Sequence, residues 1–395
     1  MQKSRGSTRN AQSEEGRMKN ILFVTSGLGA GGAEKIIALL AQHWSDAGHK
    51  IAIASFDHAG DNTYHSFAAS VALHRLGDEA SSLRRGKFSK VADLVALRSL
   101  IRRERPDIVV SFLTKNNLLA LVATIGTATK VVCCERNNPE RQGAHAFWNL
   151  ALSVAYRRAS LIICQTAAVT RCIPHAVHDR IKVIPNPIKK WSFAHEEQSP
   201  PTLVAVGRLT HQKGFDMLID AFASIAGKSK GWLLEIWGDG PDRSQLEAQI
   251  RGAGLEDRIA LKGLSEEPGG WLKNAHIFVL PSRYEGFPNV LGEAMAAGLP
   301  VVSFDCDFGP SDMIRHNHNG MLVDPEDKTA LAKAMSRCMA YAPLRKRLGQ
   351  TAMESITQFS PANTLCAWDD ALDEAMATPE KRQSNLVMRS VSAAK

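Results

Sequence analysis

Between Ile277 and Pro300 the chain spells out one complete strand–turn–helix unit. Four consecutive apolar residues open Ile277-Phe278-Val279-Leu280-Pro281-Ser282, and the sequence then runs through Tyr284-Glu285-Gly286-Phe287-Pro288-Asn289. So short an apolar run without alternation reads as a strand buried on both faces, the kind found in parallel sheets covered by helices. Val290 to Ala297 reads as the covering helix, with Gly298 as its C-cap and Pro300 beyond. Glu285 then lies in the loop at the carboxyl end of the strand, and Glu293 one or two turns into the helix. In open α/β sheets ligands bind at that edge. The backbone N–H groups of Asn289, Val290 and Leu291 open the helix toward an anion. Two acids around a phosphate cradle suit a nucleotide-sugar, although the same spacing also fits a capped surface helix with scattered acids.

Two further units narrow the choice. Val204-Ala205-Val206-Gly207 ends a second apolar strand, and Arg208 and Lys213 stand in the loop before a helix over 215–226. A guanidinium fork and an ammonium point charge suit a diphosphate, and fixed cations there stabilise charge developing on a leaving group. Near the N-terminus, Ile21 to Ser26 reads as a strand, Gly27 to Glu34 as a glycine loop and Lys35 to Trp44 as a helix. Gly27, Gly29 and Gly32 fit the dinucleotide fingerprint, with Asp57 near the end of the next strand. Taken alone, that loop admits an NAD reading, which leaves the other two units unexplained.

Together the three units resemble the retaining glycosyltransferases of family four, which have the GT-B fold: an α/β architecture of two Rossmann-like parallel-sheet domains facing across a cleft, with a C-terminal helix crossing back to the first. The similarity runs from about Lys19 to Trp368 and includes Val183 to Ile188 at the interdomain junction, Trp237 to Pro241 and Gly320 to Pro325. Ser111 to Asn117 and Cys134 to Pro139 are similar to bacterial enzymes that add N-acetylgalactosamine to polyprenyl-diphosphate-linked glycans. The resemblance implies a UDP-N-acetylhexosamine donor. Arg208 and Lys213 are expected on its diphosphate, Glu293 on the ribose, Glu285 on the sugar hydroxyls, and Gly238, Gly286, Phe287, Pro288, Asn289, Val290 and Leu291 along the donor. The Gly31-Gly32 loop is expected to close over the phosphates from the first domain. Acceptor contacts are expected from Arg98, Arg102, Lys115, Glu135 and Arg136. Many relatives have a histidine where this chain has Arg136. Either Arg136 takes over contact with the sugar or acceptor phosphate, or that role is absent and Arg136 pairs with Glu135 or Glu140.

No cofactor is expected, since the UDP-sugar is a substrate. Asp305-Cys306-Asp307 has the Asp-x-Asp spelling of manganese-binding glycosyltransferases of another fold, but the resemblance implies that Arg208, Lys213 and helix N-termini do the cation's work in this one, so no catalytic metal is expected. His316 and His318 lack a zinc spacing and read as loop residues. The rival class is a nucleotide-sugar epimerase or a phosphorylase on a similar scaffold; no motif supports the pyridoxal phosphate a phosphorylase uses. A glycosyltransferase with a soluble acceptor and a non-enzymatic binding module also fit the sequence.

The expected partition is a disordered extension over 1–17, an acceptor-binding domain over 18–190, a nucleotide-sugar domain over 200–360, a crossover helix over 361–378 and a disordered tail over 379–395. Residues 1–17 lack the apolar segment of a signal peptide, no apolar run is long enough to span a bilayer, and seven cysteines without paired spacing suit reduced thiols. Residues 1–190 carry 27 Lys and Arg against 14 Asp and Glu, whereas the remainder carries 21 against 26. Basic residues concentrate over 84–105, where Val91, Leu94, Val95, Leu97, Leu100 and Ile101 recur at helical spacing. A basic amphipathic helix suits an anionic membrane surface or a lipid diphosphate, and an ordinary solvated face fits too. Phe147 to Arg158 is a second candidate surface, with Trp148 and Tyr156 at headgroup level. Nucleic acid is not expected, because aromatic interleaving and a recognised module are missing. With the resemblance, these features lead us to expect the chain in the cytoplasm, peripheral on the inner face of the plasma membrane.

Overall fold

The computed structural model describes residues 18–29, 31–79, 89–136, 152–191 and 200–377. The expected terminal extensions, Trp148, Glu140 and the basic residues over 84–87 lie outside the described residues.

Among the described residues, thirteen strands form two parallel sheets. In the first, β1 (Asn20–Thr25), β2 (Lys50–Ser55), β3 (Ala72–Arg75), β4 (Ile108–Phe112), β5 (Lys130–Glu135), β6 (Leu161–Cys164) and β7 (Ile181–Val183) lie in the order β3-β2-β1-β4-β5-β6-β7. In the second, β8 (Thr202–Val206), β9 (Leu233–Trp237), β10 (Ile259–Gly263), β11 (Ile277–Leu280), β12 (Val301–Phe304) and β13 (Met321–Val323) lie in the order β10-β9-β8-β11-β12-β13. Chain direction across each sheet reverses between its first and fourth strands, which opens a crevice at their carboxyl ends. In the second sheet those strands are β8 and β11, the two that carry Arg208, Lys213 and Glu285.

The apolar runs are continuous because both faces are covered. Along β1, Ile21 and Phe23 join one core while Leu22 and Val24 join the other. Along β11, Ile277 and Val279 face one core, and Phe278 and Leu280 the opposite one. Helix Pro361–Met376 starts on Ser360, whose hydroxyl accepts the Asn363 N–H at 3.4 Å, with proline at its first position. It returns to the first domain, where Trp368, Ala371, Leu372 and Ala375 enter the core. Trp368 stacks on Phe112 at 6.3 Å and meets Trp44 edge-on at 6.2 Å. Asp369 accepts the Trp44 indole N–H at 2.9 Å.

Helix Ser89–Glu104 forms as expected but faces the other way. Leu97, Leu100 and Ile101 are buried in the first-domain core, so that apolar stripe is not a membrane face. Val91 and Val95 are the outward ones, 57% and 53% exposed. Tyr156 is also corrected: it is fully buried and hydrogen-bonded to Glu135, not at a headgroup level.

Candidate active site

The loops after β8 and β11 are laced together before any ligand arrives. Gln212 donates from Nε2 to Tyr284 O at 3.0 Å, and Arg283 N–H donates to Gln212 O at 2.8 Å. The Arg283 fork holds both oxygens of Asp216, at 2.9 and 2.7 Å. Burial alone raises the Asp216 pKa, yet these bonds outweigh it and hold the carboxyl below its ordinary value. Gly214 allows the close approach: its φ is +65°, and a Cβ there would stand 2.1 Å from Pro281 O.

That lacing sets Lys213 against Glu285. Lys213 Nζ lies 2.6 Å from Glu285 Oε1, and the Ser282 hydroxyl donates to the same oxygen at 2.7 Å. Glu285 is only 5% exposed. The Lys213 stem passes over Gly207, where a Cβ would sit 3.3 Å from it. Arg208 is exposed, and no hydrogen bond or ion pair ties its side chain among the described residues. Helix Asn289–Ala296 begins beside this cluster. The Leu291 N–H turns to Pro288 O at 3.0 Å, so the open donors are those of Asn289 and Val290. Phe287 and Leu291 bury their side chains in the second-domain core and offer the site backbone alone.

The first domain meets this helix directly. Lys35 Nζ reaches Glu293 Oε1 at 3.1 Å, and a Cβ on Gly32 would lie 3.3 Å from Asn289 Nδ2. Glu34 folds its carboxylate back over Gly31, and burial raises its pKa. Asn186, at the junction, accepts from Arg136 Nη1 at 2.7 Å and donates to Asn289 Oδ1 at 2.9 Å. The glycine loop is held from below: the Leu28 N–H donates to Asp57 Oδ2 at 3.0 Å, and Arg75 occupies the same oxygen. Asp57 Oδ2 is thereby held within the first domain, and a Cβ on Gly29 would meet no protein atom within 4 Å.

Glu135 and Arg98 make their contacts within the first domain, whereas Arg136 is linked to the donor helix through Asn186. Glu135 is sealed inside the first domain, accepting hydrogen bonds from Thr114 at 2.7 Å, from Asn117 at 2.9 Å and from Tyr156. Burial raises its pKa against those bonds. Arg136 is 8% exposed and does not pair with Glu135; its guanidinium lies 5.0 Å from the Phe112 ring centre and 5.5 Å from that of Trp368. Desolvation lowers its pKa. Arg98 Nη1 caps the end of helix Thr114–Ala123, donating to Ala123 O at 2.9 Å and Ile125 O at 3.0 Å. Lys115 and Arg102 remain exposed, with Lys115 in the first turn after β4 at the switch point of the first sheet. Gly238 closes the far side with φ +136°, where a Cβ would stand 1.9 Å from Gly207 O. Among the described residues no group of three or more His, Cys, Asp or Glu side chains is placed to hold a metal ion.

Sequence reasoning missed Lys35, Ser282 and the Arg283–Asp216 pair. Lys35 carried a faint signal, as a cation one position into the helix that follows the glycine loop.

Comparison with known proteins agrees with this architecture. Residues 30–190 match the family described as Glycosyltransferase Family 4, and residues 187–355 match Glycosyl transferases group 1. The chain is 26% identical over 369 residues to a Campylobacter jejuni α-1,4-N-acetyl-D-galactosaminyltransferase whose name specifies a diNAcBac-PP-undecaprenol-linked substrate, covering 89% of this chain and 97% of that one. It is 37% identical over 199 residues to a Streptomyces coelicolor exopolysaccharide phosphotransferase, spanning 50% of this chain but 21% of that protein's length. Among solved structures, the lipopolysaccharide outer core galactosyltransferase WaaB superposes with a TM-score of 0.71 at 22% identity, covering 90% of this chain and 99% of that one. HepE from Anabaena, in complex with UDP, superposes with a TM-score of 0.75 at 18% identity, over 90% of this chain and 99% of that one. Two adjoining family matches, one on each domain, on a fold shared with these enzymes, make this chain a glycosyltransferase of the GT-B fold.

Proposed function

We propose that the chain is a retaining glycosyltransferase that moves an N-acetylhexosamine, GalNAc by preference, from a UDP-sugar to a polyprenyl-diphosphate-linked saccharide in cell-surface glycan assembly. The observation that carries this reading is the Lys213–Glu285–Ser282 cluster beside the open N-terminus of helix Asn289–Ala296, with Glu293 further along the helix. Both partners of Glu285 bind Oε1, which leaves Oε2 to accept sugar hydroxyls. A carboxylate held in that ion pair is a weak nucleophile, so the reading gives Glu285 a positioning role at the sugar. The acceptor hydroxyl attacks the anomeric carbon from the face that UDP leaves, its proton passes to the departing phosphate oxygen, and Lys213 and Arg208 stabilise the charge that develops there. The naming of the Campylobacter relative and the UDP complex of HepE support the lipid-linked acceptor and the UDP donor. UDP release that depends on a polyprenyl-diphosphate-linked glycan, with retained anomeric configuration in the product, tests the reading; release indifferent to the lipid acceptor rejects it.

The reading needs no metal, because two cations already stand on the switch-point loops. Activity is expected to survive exhaustive EDTA treatment, and neither Asp305→Ala nor Asp307→Ala should create or abolish a manganese requirement. Activity restored only by a divalent cation overturns this.

Membrane contact is proposed along the outward strip of helix Ser89–Glu104, where Val91 and Val95 lead to Arg102 and Arg103. No helix among the described residues is long and apolar enough to cross a membrane, so the contact is peripheral. Arg102→Glu with Arg103→Glu should release the protein from anionic vesicles, since each basic side chain near such a surface contributes about 1 kcal/mol. Salt should mimic the change, and UDP binding should be untouched. A double variant that stays vesicle-bound rejects this surface.

A further inference from the structure

The loop that follows β12 belongs by sequence to the second domain, yet it holds the first. Phe308 is 7% exposed, and its side chain joins the first-domain core rather than its own. It gets there with φ +61°, a left-handed conformation that a bulky residue adopts only when its surroundings impose it. Three neighbours tie the same loop to other parts of the site. The carbonyl of Asp307 accepts the Glu285 N–H at 3.2 Å. Gly309, at φ +104°, lies so close to the Glu285-to-Pro288 turn that a Cβ on it would stand 2.4 Å from Pro288 Cδ and 3.4 Å from Phe287 Cα. The Asp312 carboxylate accepts the Gly309 N–H at 3.2 Å and also the Ala167 N–H of the first domain, with Arg171 nearby. One short segment thus touches the turn that carries Glu285 on one side and the first domain on the other.

We propose that Phe308 is a positioning residue that links closure of the cleft to the placement of Glu285. When the ring seats in the first domain, the backbone of Asp307 to Gly309 bears on the Glu285-to-Pro288 turn and fixes the carboxylate at the sugar. With the ring withdrawn, the turn loses that support, and bound donor faces a looser site open to water. Donor binding itself depends on Lys213, Arg208 and the N–H groups of Asn289 and Val290, and the segment meets that helix at its N-cap, Pro288. The inference rests on the proposed role of Glu285 at the donor sugar, and it assigns Phe308 no contact with substrate.

Phe308→Ala removes the anchor, and Phe308→Gly removes it while relieving the left-handed backbone, so agreement between the two isolates loss of the ring. In the full chain, both should lower kcat for transfer to a polyprenyl-diphosphate-linked glycan by about 10- to 100-fold, the scale of a small misplacement of a reacting group. UDP affinity should stay within about threefold, and free sugar formed by hydrolysis of the UDP-sugar should rise relative to sugar transferred by about tenfold, since a looser site admits water. Phe308→Leu should restore part of the transfer rate. Transfer within twofold of wild type overturns the inference, and so does a lower kcat with an unchanged ratio of hydrolysis to transfer, the mark of a merely structural residue. Small-angle X-ray scattering with UDP alone keeps the inference separate from the proposed reaction. The UDP-bound Phe308→Ala variant should have a larger radius of gyration than UDP-bound wild type, and equal radii overturn the latch whatever the acceptor proves to be. Wild-type protein that shows UDP-dependent compaction but no transfer rejects the acceptor assignment and leaves the latch standing.

Discussion

Lys213→Ala is expected to lower kcat by about 10²- to 10³-fold, the range found when a preorganised charge-stabilising donor is removed. The loss has two sources. The ammonium that faces the leaving diphosphate is gone, and Glu285, almost wholly buried, keeps the Ser282 hydroxyl as its remaining partner. A buried carboxylate stripped of its cation costs about 1–3 kcal/mol or more of folding stability, so the variant should also melt earlier. Arg208→Ala separates the two effects. Arg208 is exposed and holds nothing in place, so its removal should leave stability within about 0.5 kcal/mol while lowering kcat about 10²-fold. Acceptor KM should change little in either variant. Turnover of UDP-sugar with acceptor, beside thermal unfolding of the same preparations, measures all of this. Near-normal turnover in Arg208→Ala, with UDP still bound, removes Arg208 from the diphosphate.

Why these residues could be named from sequence, and others could not, follows from the range of the forces involved. β1, β8 and β11 are buried on both faces, so each appears as an unbroken apolar run, and the loop after such a strand is an address in the chain. Glu285, Lys213, Arg208 and the glycine turns could be found because they lie at those addresses. Lys35 meets Glu293 across 258 positions of sequence, and Arg283 clamps Asp216 across 67. No local period encodes pairs that far apart. Helix Ser89–Glu104 shows a different limit: a 3.6-residue stripe reveals two faces without saying which one the core takes. Here the core took Leu97, Leu100 and Ile101 and left Val91 and Val95 outside. Glu135 and Arg136 show a related limit. Charged residues at a strand end read as ligands, but β5 ends beneath helix Pro361–Met376, which buries Arg136 between aromatic rings. Phe112 from β4 and Trp368 from the returning C-terminal helix make that environment together.

The second large effect is on stability and separates a glycine the fold requires from one it does not. Gly238→Ala is expected to be severely destabilising. The residue follows β9 at φ +136°, its N–H donates to Gly263 O at 2.7 Å, and a Cβ would stand 1.9 Å from the carbonyl oxygen of Gly207. Backbone opposes the new methyl group, so no side chain can swing aside. Gly207 is itself held by its N–H to Trp237 O at 2.9 Å. Conformational strain of about 1–3 kcal/mol adds to an overpacking cost of about 1–3 kcal/mol. For a domain of this size each kcal/mol moves the midpoint by about 2–4 °C, so thermal unfolding should begin about 5–20 °C lower. The ends of β8 and β9 would be pushed apart at the point where Arg208 leaves the sheet, and UDP affinity should fall with stability. Gly29→Ala is the control. It lies in the glycine loop of the first domain, where a Cβ meets nothing within 4 Å, and its φ is not among the positive ones. Its midpoint should stay within about 2 °C, the shift that a surface change of about 0.5 kcal/mol produces. A Gly238→Ala protein that melts with wild type would mean that the β8 and β9 loops relax apart freely, and the rigid donor cleft drawn from them would have to be given up.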